Sequence, residues 1–229
     1  MTYSVFLKIN RRAMKIVVMR LVLLILLGTL YSCGDGKKYH DQVALKDTLS
    51  DSILASIAIF QDELNREFAD PDTSPLADRY RKDFEGLEFF DPDTSYVVVA
   101  ELFRTPEAVP FLMPTNTDRL SREVVYGLVN FELKGQTYQL EVYQNEELKA
   151  EEGYKDYLFL PFTDETNGNE TYEGGRYIDL SIPEGNRLEI DFNKSYNPYC
   201  AYNKKYSCPL VPPQNHLSTA VMAGVKAFK

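Results

Sequence analysis

Two stretches of the chain concentrate side chains that can do chemistry. The first, PFTDETNGNETYEGGRYIDL (161–180), carries Asp164, Thr166, Thr171, Tyr172 and Arg176. Such a set can hold an anion, with Arg176 offering a planar two-donor fork. It can equally build a loop: Asp and Thr satisfy turn amides, and Gly168, Gly174 and Gly175 supply unusual backbone angles. The second stretch, LEIDFNKSYNPYCAYNKKYSCPLVPPQNHL (188–217), puts Asp191, Asn193, Tyr196 and Asn197 directly after a run that reads as a strand. Alternation along a strand places Asp191 and Asn193 on one face. Pairing of these two with Arg176 would tie the two loops together. Loops beside rigid strands are where binding groups collect. Paired carboxylates also serve hydrolases, so Asp164, Asp191 and Arg176 define an enzymatic alternative to plain binding.

Other chemistries find less support. The chain has two histidines, His40 and His216, and no G-x-S-x-G elbow, so a histidine-based nucleophile is hard to assemble. Cys200 and Cys208 stand too far apart for a zinc knuckle and lack a second ligand pair. DETNGNETYEGG holds oxygen ligands without the calcium-loop register. Neither a metal nor an organic cofactor is therefore expected. Tyr196, Tyr199, Tyr202 and Tyr206 can stack on a sugar, or pack their own loop with wet hydroxyls.

The N-terminus gives an address. Residues 1–32 hold Lys8, Arg11, Arg12, Lys15 and Arg20 and no acid; the whole chain has a net charge of −9. Beyond residue 32 the balance is 20 basic against 34 acidic side chains, which repels phosphate backbones and argues against nucleic acid as a partner. Lys15 and Arg20 precede the short apolar run Leu21–Leu30, the anatomy of a secretory signal rather than a membrane span. Leu30-Tyr31-Ser32-Cys33 resembles the bacterial lipobox, which implies acyl chains on Cys33. The expected location is the bacterial cell envelope, at the outer membrane, with the lipid on Cys33 as the membrane contact.

Four segments follow: a signal (1–32), a tether (33–43), a helical segment (44–90) and a β-rich domain (91–229). Leu45, Leu49, Ile53, Ile57, Phe60, Leu64 and Phe68 recur every three or four residues, an amphipathic helix. Pro71 and Pro75 end it, and Ser74 is placed to cap a second short helix. From Ser95 the pattern becomes β. Six strands are clear, two more are candidates, and Lys134-Gly135 marks a hairpin. No β-α-β alternation is visible. The expected fold is mainly β, an antiparallel sandwich or open barrel behind the N-terminal helix.

SPL…FEGLEFF, FTDETNG..TYEGGRYIDL, DFNKSYNPYCAY…CPLVPPQN.L and AGVK together resemble the bacterial family called domain of unknown function 1684. The resemblance spans about residues 60–228 and implies no activity. Gln214-Asn215-His216-Leu217 and Ala223-Gly224-Val225-Lys226 depart from its usual pattern. The reading is a cell-envelope lipoprotein, a non-catalytic ligand-binding or accessory module for a small molecule or an envelope protein. The alternative is an envelope hydrolase. Outside the cytoplasm Cys200 and Cys208 are expected to form a disulfide bracing Asp191, Asn193 and Tyr196.

Overall fold

A computed structural model describes residues 38–228, with side chains from Thr48 onward. The signal segment and Cys33 lie outside the described residues, as does the side chain of His40. No helix among the described residues is long and apolar enough to cross a membrane.

Helix α1 (Lys38–Ala69) contains the expected stripe, and its first turns occupy part of the stretch read as a tether. Leu49 is exposed, whereas Ile57 and Phe68 are buried. Ser74 does not cap the next helix. Its hydroxyl donates to Phe68 O at 2.6 Å, satisfying a carbonyl at the end of α1 that has no partner inside the helix. The helix α2 (Asp78–Arg81) is then a single turn preceded by Ala77, with no side-chain cap.

The strands are β1 (Val97–Arg104), β2 (Phe111–Pro114), β3 (Leu120–Leu133), β4 (Gln136–Asn145), β5 (Tyr157–Asp164), β6 (Arg176–Ser181), β7 (Arg187–Asp191) and β8 (His216–Leu217). Lys134 and Gly135 both take positive φ, 51° and 78°, as a two-residue hairpin between β3 and β4 requires. The sheet runs β6-β5-β4-β3-β1-β7, antiparallel along that path; β2 adds to β3, and β8 pairs with β5 in parallel. The strands β6 and β7 stand at opposite ends of this path, yet residues 182–186 join them directly. Six flat strands would hold those ends about 24 Å apart, and so short a connection spans only about 20 Å. The sheet must therefore curl, and it forms an antiparallel half-barrel. Of the two expected architectures, the open barrel is the one present.

Inside the curl, Leu102, Val129, Phe131, Leu140, Val142, Leu158, Leu160, Phe162, Ile190 and Phe192 form one core with Leu217, Val221 and Ala223 of the C-terminal segment. Each large aliphatic or aromatic side chain removed from water contributes about 1.5–3 kcal/mol. The outward rows of β4, β5 and β6 carry a second cluster: Tyr143, Phe159 and Tyr177, with Tyr157 and Tyr196 packed against it.

Candidate functional site

The first polar stretch folds inward. Arg176 opens β6, and its side chain is 0% exposed, as is that of Asp164. Arg176 Nη2 donates to Asp164 Oδ2 and to Val221 O, both at 2.9 Å. Nη1 donates to the carbonyls of Ala223 and Val225. Asp164 Oδ1 accepts from Thr166 N at 2.9 Å, Thr166 Oγ1 at 2.7 Å and Val221 N at 3.1 Å. Thr166 and Thr171 share a 2.7 Å hydroxyl contact. Burial lowers the Arg176 pKa, and the charge of Asp164 works against that shift. These groups pin segment 221–225 inside the barrel, and an external anion would have to displace them. Gly224 permits the pinning. It takes φ +79°, and a Cβ there would stand 2.1 Å from Ser195 Oγ and 2.8 Å from Phe192 O.

The second stretch divides. Asp191 Oδ1 accepts from Asn193 N at 3.0 Å and Nδ2 at 2.8 Å, closing the turn after β7. Asn193 also exchanges two bonds with the backbone of Asp93, 2.9 and 3.0 Å, fixing the approach to β1. Asn197 donates to Lys226 O at 2.9 Å. The expected meeting of Arg176 with Asp191 and Asn193 does not occur: the guanidinium faces the C-terminal segment, and the Asp191 carboxylate is held by its own turn. Asp164, Asp191 and Arg176 therefore share no reaction centre.

Tyr196 goes elsewhere. Its backbone pairs with Tyr177 (N to O, 2.9 and 3.0 Å), which lays it beside β6. There it joins a cavity of about 370 Å³. One wall is α1, through Phe60, Leu64 and Glu67. The other is Tyr177 and Asp179 of β6 with Tyr196, Pro198, Tyr199, Tyr206, Ser207 and Cys208 of the loop after β7. Asp179 stands opposite Phe159 in the β5–β6 register, on the same outward row as Tyr177. Tyr157 and Tyr196 hydroxyls both donate to its Oδ1, at 2.8 and 2.6 Å. Oδ2 accepts no hydrogen bond among the described residues. Asp179 is an exposed residue at the rim of the cavity; the desolvation it meets there raises its pKa, and the two hydroxyls oppose that shift. Burial pushes both tyrosine pKa values up, so each keeps the proton it donates. The Tyr199 hydroxyl donates to Glu67 across the cavity, linking loop to helix. None of the lining residues is basic.

Cys200 and Cys208 are free thiols in this structure, which corrects the expected disulfide. They are neighbours nonetheless: Cys200 N donates to Cys208 Sγ at 3.2 Å, and the nearby Cys208 thiol helps to lower the Cys200 pKa. The brace around them is built from other contacts: Asn116 bonds Cys208 N at 2.6 Å, and Arg119 bonds Ser207 O at 2.8 Å. Tyr172, expected among the binding groups, lies near Cys200 instead, and the thiol together with burial raises its pKa, burial being the larger cause. His216 bonds Thr163 and Glu165, not a cysteine. No cluster of three or more metal-ligating side chains occurs among the described residues.

Sequence reasoning thus found Tyr196 but missed Asp179 and Glu67. Both carried a signal. Asp179 stands two positions from Tyr177 on one face of its strand, and Glu67 continues the Phe60–Leu64 face of α1 at helical spacing.

Fold and cavity together define a β half-barrel roofed on one side by a helix, with an acidic aromatic cavity beneath. The chain belongs to the family described as "Protein of unknown function (DUF1684)", whose model matches residues 82–226. It is 32% identical to an uncharacterized protein of Haloarcula marismortui solved by solution NMR; the likeness covers 82% of this chain and 96% of that one, with a TM-score of 0.57. That source lies outside the bacteria, to which the sequence resemblance had pointed. No curated protein matches the chain.

Proposed function

We propose that the chain is a non-catalytic small-molecule-binding module whose cavity under α1 takes an organic cation. One observation carries the reading: a carboxylate, Asp179, lines an aromatic cavity that contains no basic side chain, and one of its oxygens is unpartnered. A cation there gains the field of Asp179 and Glu67. Each favourably placed ring adds about 0.5–2 kcal/mol. One ring already draws a cation from outside the lining, with Lys205 Nζ 4.8 Å from the Tyr206 centroid. The cavity is small, which suits an alkylammonium head on a short apolar body. Calorimetry at low salt with choline and its neutral isostere 3,3-dimethylbutan-1-ol tests this. The reading expects choline to bind and the isostere to bind about tenfold more weakly or not at all. Equal binding, or no choline binding, overturns it.

The second part of the proposal is placement at a membrane through lipid on Cys33, supported by the Leu30-Tyr31-Ser32-Cys33 motif and the basic, apolar segment before it. Metabolic labelling with a fatty acid should mark the chain and leave Cys33→Ala unlabelled. Absence of label from the unsubstituted chain in its native host contradicts it.

A further inference from the structure

We propose that Cys200 and Cys208 form a thiol–disulfide exchange centre, Cys200 attacking a low-molecular-weight disulfide and Cys208 resolving the adduct. The geometry assigns the roles. Cys200 lies in a 3₁₀ turn, Tyr199–Ala201, and is half-buried, so a small disulfide can reach its sulfur. Cys208 is 8% exposed, so it is the less accessible of the two; it borders the cavity under α1 and stands beside Cys200, its Sγ 3.2 Å from Cys200 N, where it can meet a partner held on Cys200.

Four groups favour the thiolate on Cys200: the Cys208 thiol, the Tyr172 hydroxyl and the amides of Cys200 and Ala201, which lower its pKa to about 7 against the opposing effect of burial. The same contact with Cys200, together with burial, raises the pKa of Cys208. Tyr172 is itself pushed up to about 12, mainly by burial, and so remains a donor. Its ring is placed by Gly174, where a Cβ would stand 2.5 Å from the ring edge. The pKa order is that of an attacking and a resolving thiol, since the thiolate is the nucleophile.

The exchange balances. The Cys200 thiolate bonds one sulfur of RSSR, and RS⁻ leaves and takes a proton. Cys208 then gives its proton to water and attacks the Cys200 sulfur, releasing the second RS⁻. Two protein thiols are oxidised to one disulfide, and one RSSR is reduced to two RSH. The disulfide expected from the sequence is on this view one state of the pair, and the dithiol seen here is the other.

The test mixes the reduced full-length chain with glutathione disulfide near pH 7 and follows intact mass with peptide mapping, which separates Cys33 from the pair. The unsubstituted chain should lose two hydrogens at Cys200–Cys208 without accumulating adduct. Cys208→Ser, which keeps a hydroxyl donor beside Cys200, should stop at one glutathione on residue 200. Cys200→Ser should react roughly tenfold more slowly. Adduct on Cys208 of the unsubstituted chain, or equal rates in the two variants, overturns the assignment. Should either variant fail to fold, pulse alkylation of the unsubstituted dithiol decides: Cys200 should label roughly tenfold faster than Cys208, and equal labelling rejects the proposal.

Discussion

Asp164 and Asp179 lie fifteen positions apart, at the end of β5 and in the middle of β6, and they live in opposite worlds. Asp164 is dry and matched: a guanidinium, an amide, a hydroxyl and a second amide engage it from four sides. Asp179 is wet and unmatched by any cation, steadied on one oxygen by two tyrosines. Alternation explains the split. Both residues sit at strand positions, but one faces the closed interior of the curl and the other its outer row. A buried charge with all its partners holds the fold together. A charge that the fold leaves uncompensated, inside a cavity, is where a ligand has something to add.

The largest expected effect falls on the matched side. Arg176→Leu leaves Asp164 buried without its cation and should cost about 3–5 kcal/mol, read as a drop in the urea midpoint. A loss below about 1 kcal/mol would mean that the pair is not the pin described. Gly224→Ala comes next. Strain at φ +79° and the clash with Ser195 should cost about 2 kcal/mol, measured the same way; an unchanged midpoint would show that the segment relaxes freely.

The open side should respond to pH rather than to denaturant. The pKa of Asp179 is raised above 3.8 in the folded chain. The folded state therefore holds this proton more tightly than the unfolded one. Its contribution to stability is complete below 3.8 and lost as pH rises through the folded value. Choline binding has the opposite slope, because it needs the carboxylate: affinity should fall as pH drops through that same value. A flat affinity profile down to pH 3.8 contradicts the assignment. The smallest effect is Tyr196→Phe, which removes one of two donors to Asp179. It should raise the Asp179 pKa further and weaken choline severalfold, for a stability change of about 1 kcal/mol. Carbon-detected NMR of the aspartate carboxyls reads the first effect directly.

How much of this was legible in the sequence varies by feature. The six main strands and the Lys134-Gly135 hairpin follow from period-two alternation and turn chemistry, which are local. The curl does not: it arises because residues 182–186 must join the two ends of the strand path. Ser74 misled for a similar reason, since its hydroxyl serves the helix behind it and not the one ahead. The stretches 161–180 and 188–217 stood out as polar, but their partners lie far along the chain. Arg176 acquires its meaning only when segment 221–225 folds beneath it. Asp179 was inside the first stretch and was not singled out, because the tyrosines and the helix beside it come from three other segments.

The central claim is that Asp164 builds the fold and Asp179 serves a ligand. Thermal unfolding of Asp179→Asn with and without choline tests it most directly, with Asp164→Asn beside it. The account predicts that Asp179→Asn keeps the unfolding temperature of the unsubstituted chain and loses the choline-induced rise, whereas Asp164→Asn unfolds much earlier. An Asp179→Asn chain that melts as early as Asp164→Asn, or that still gains the full rise from choline, would contradict it.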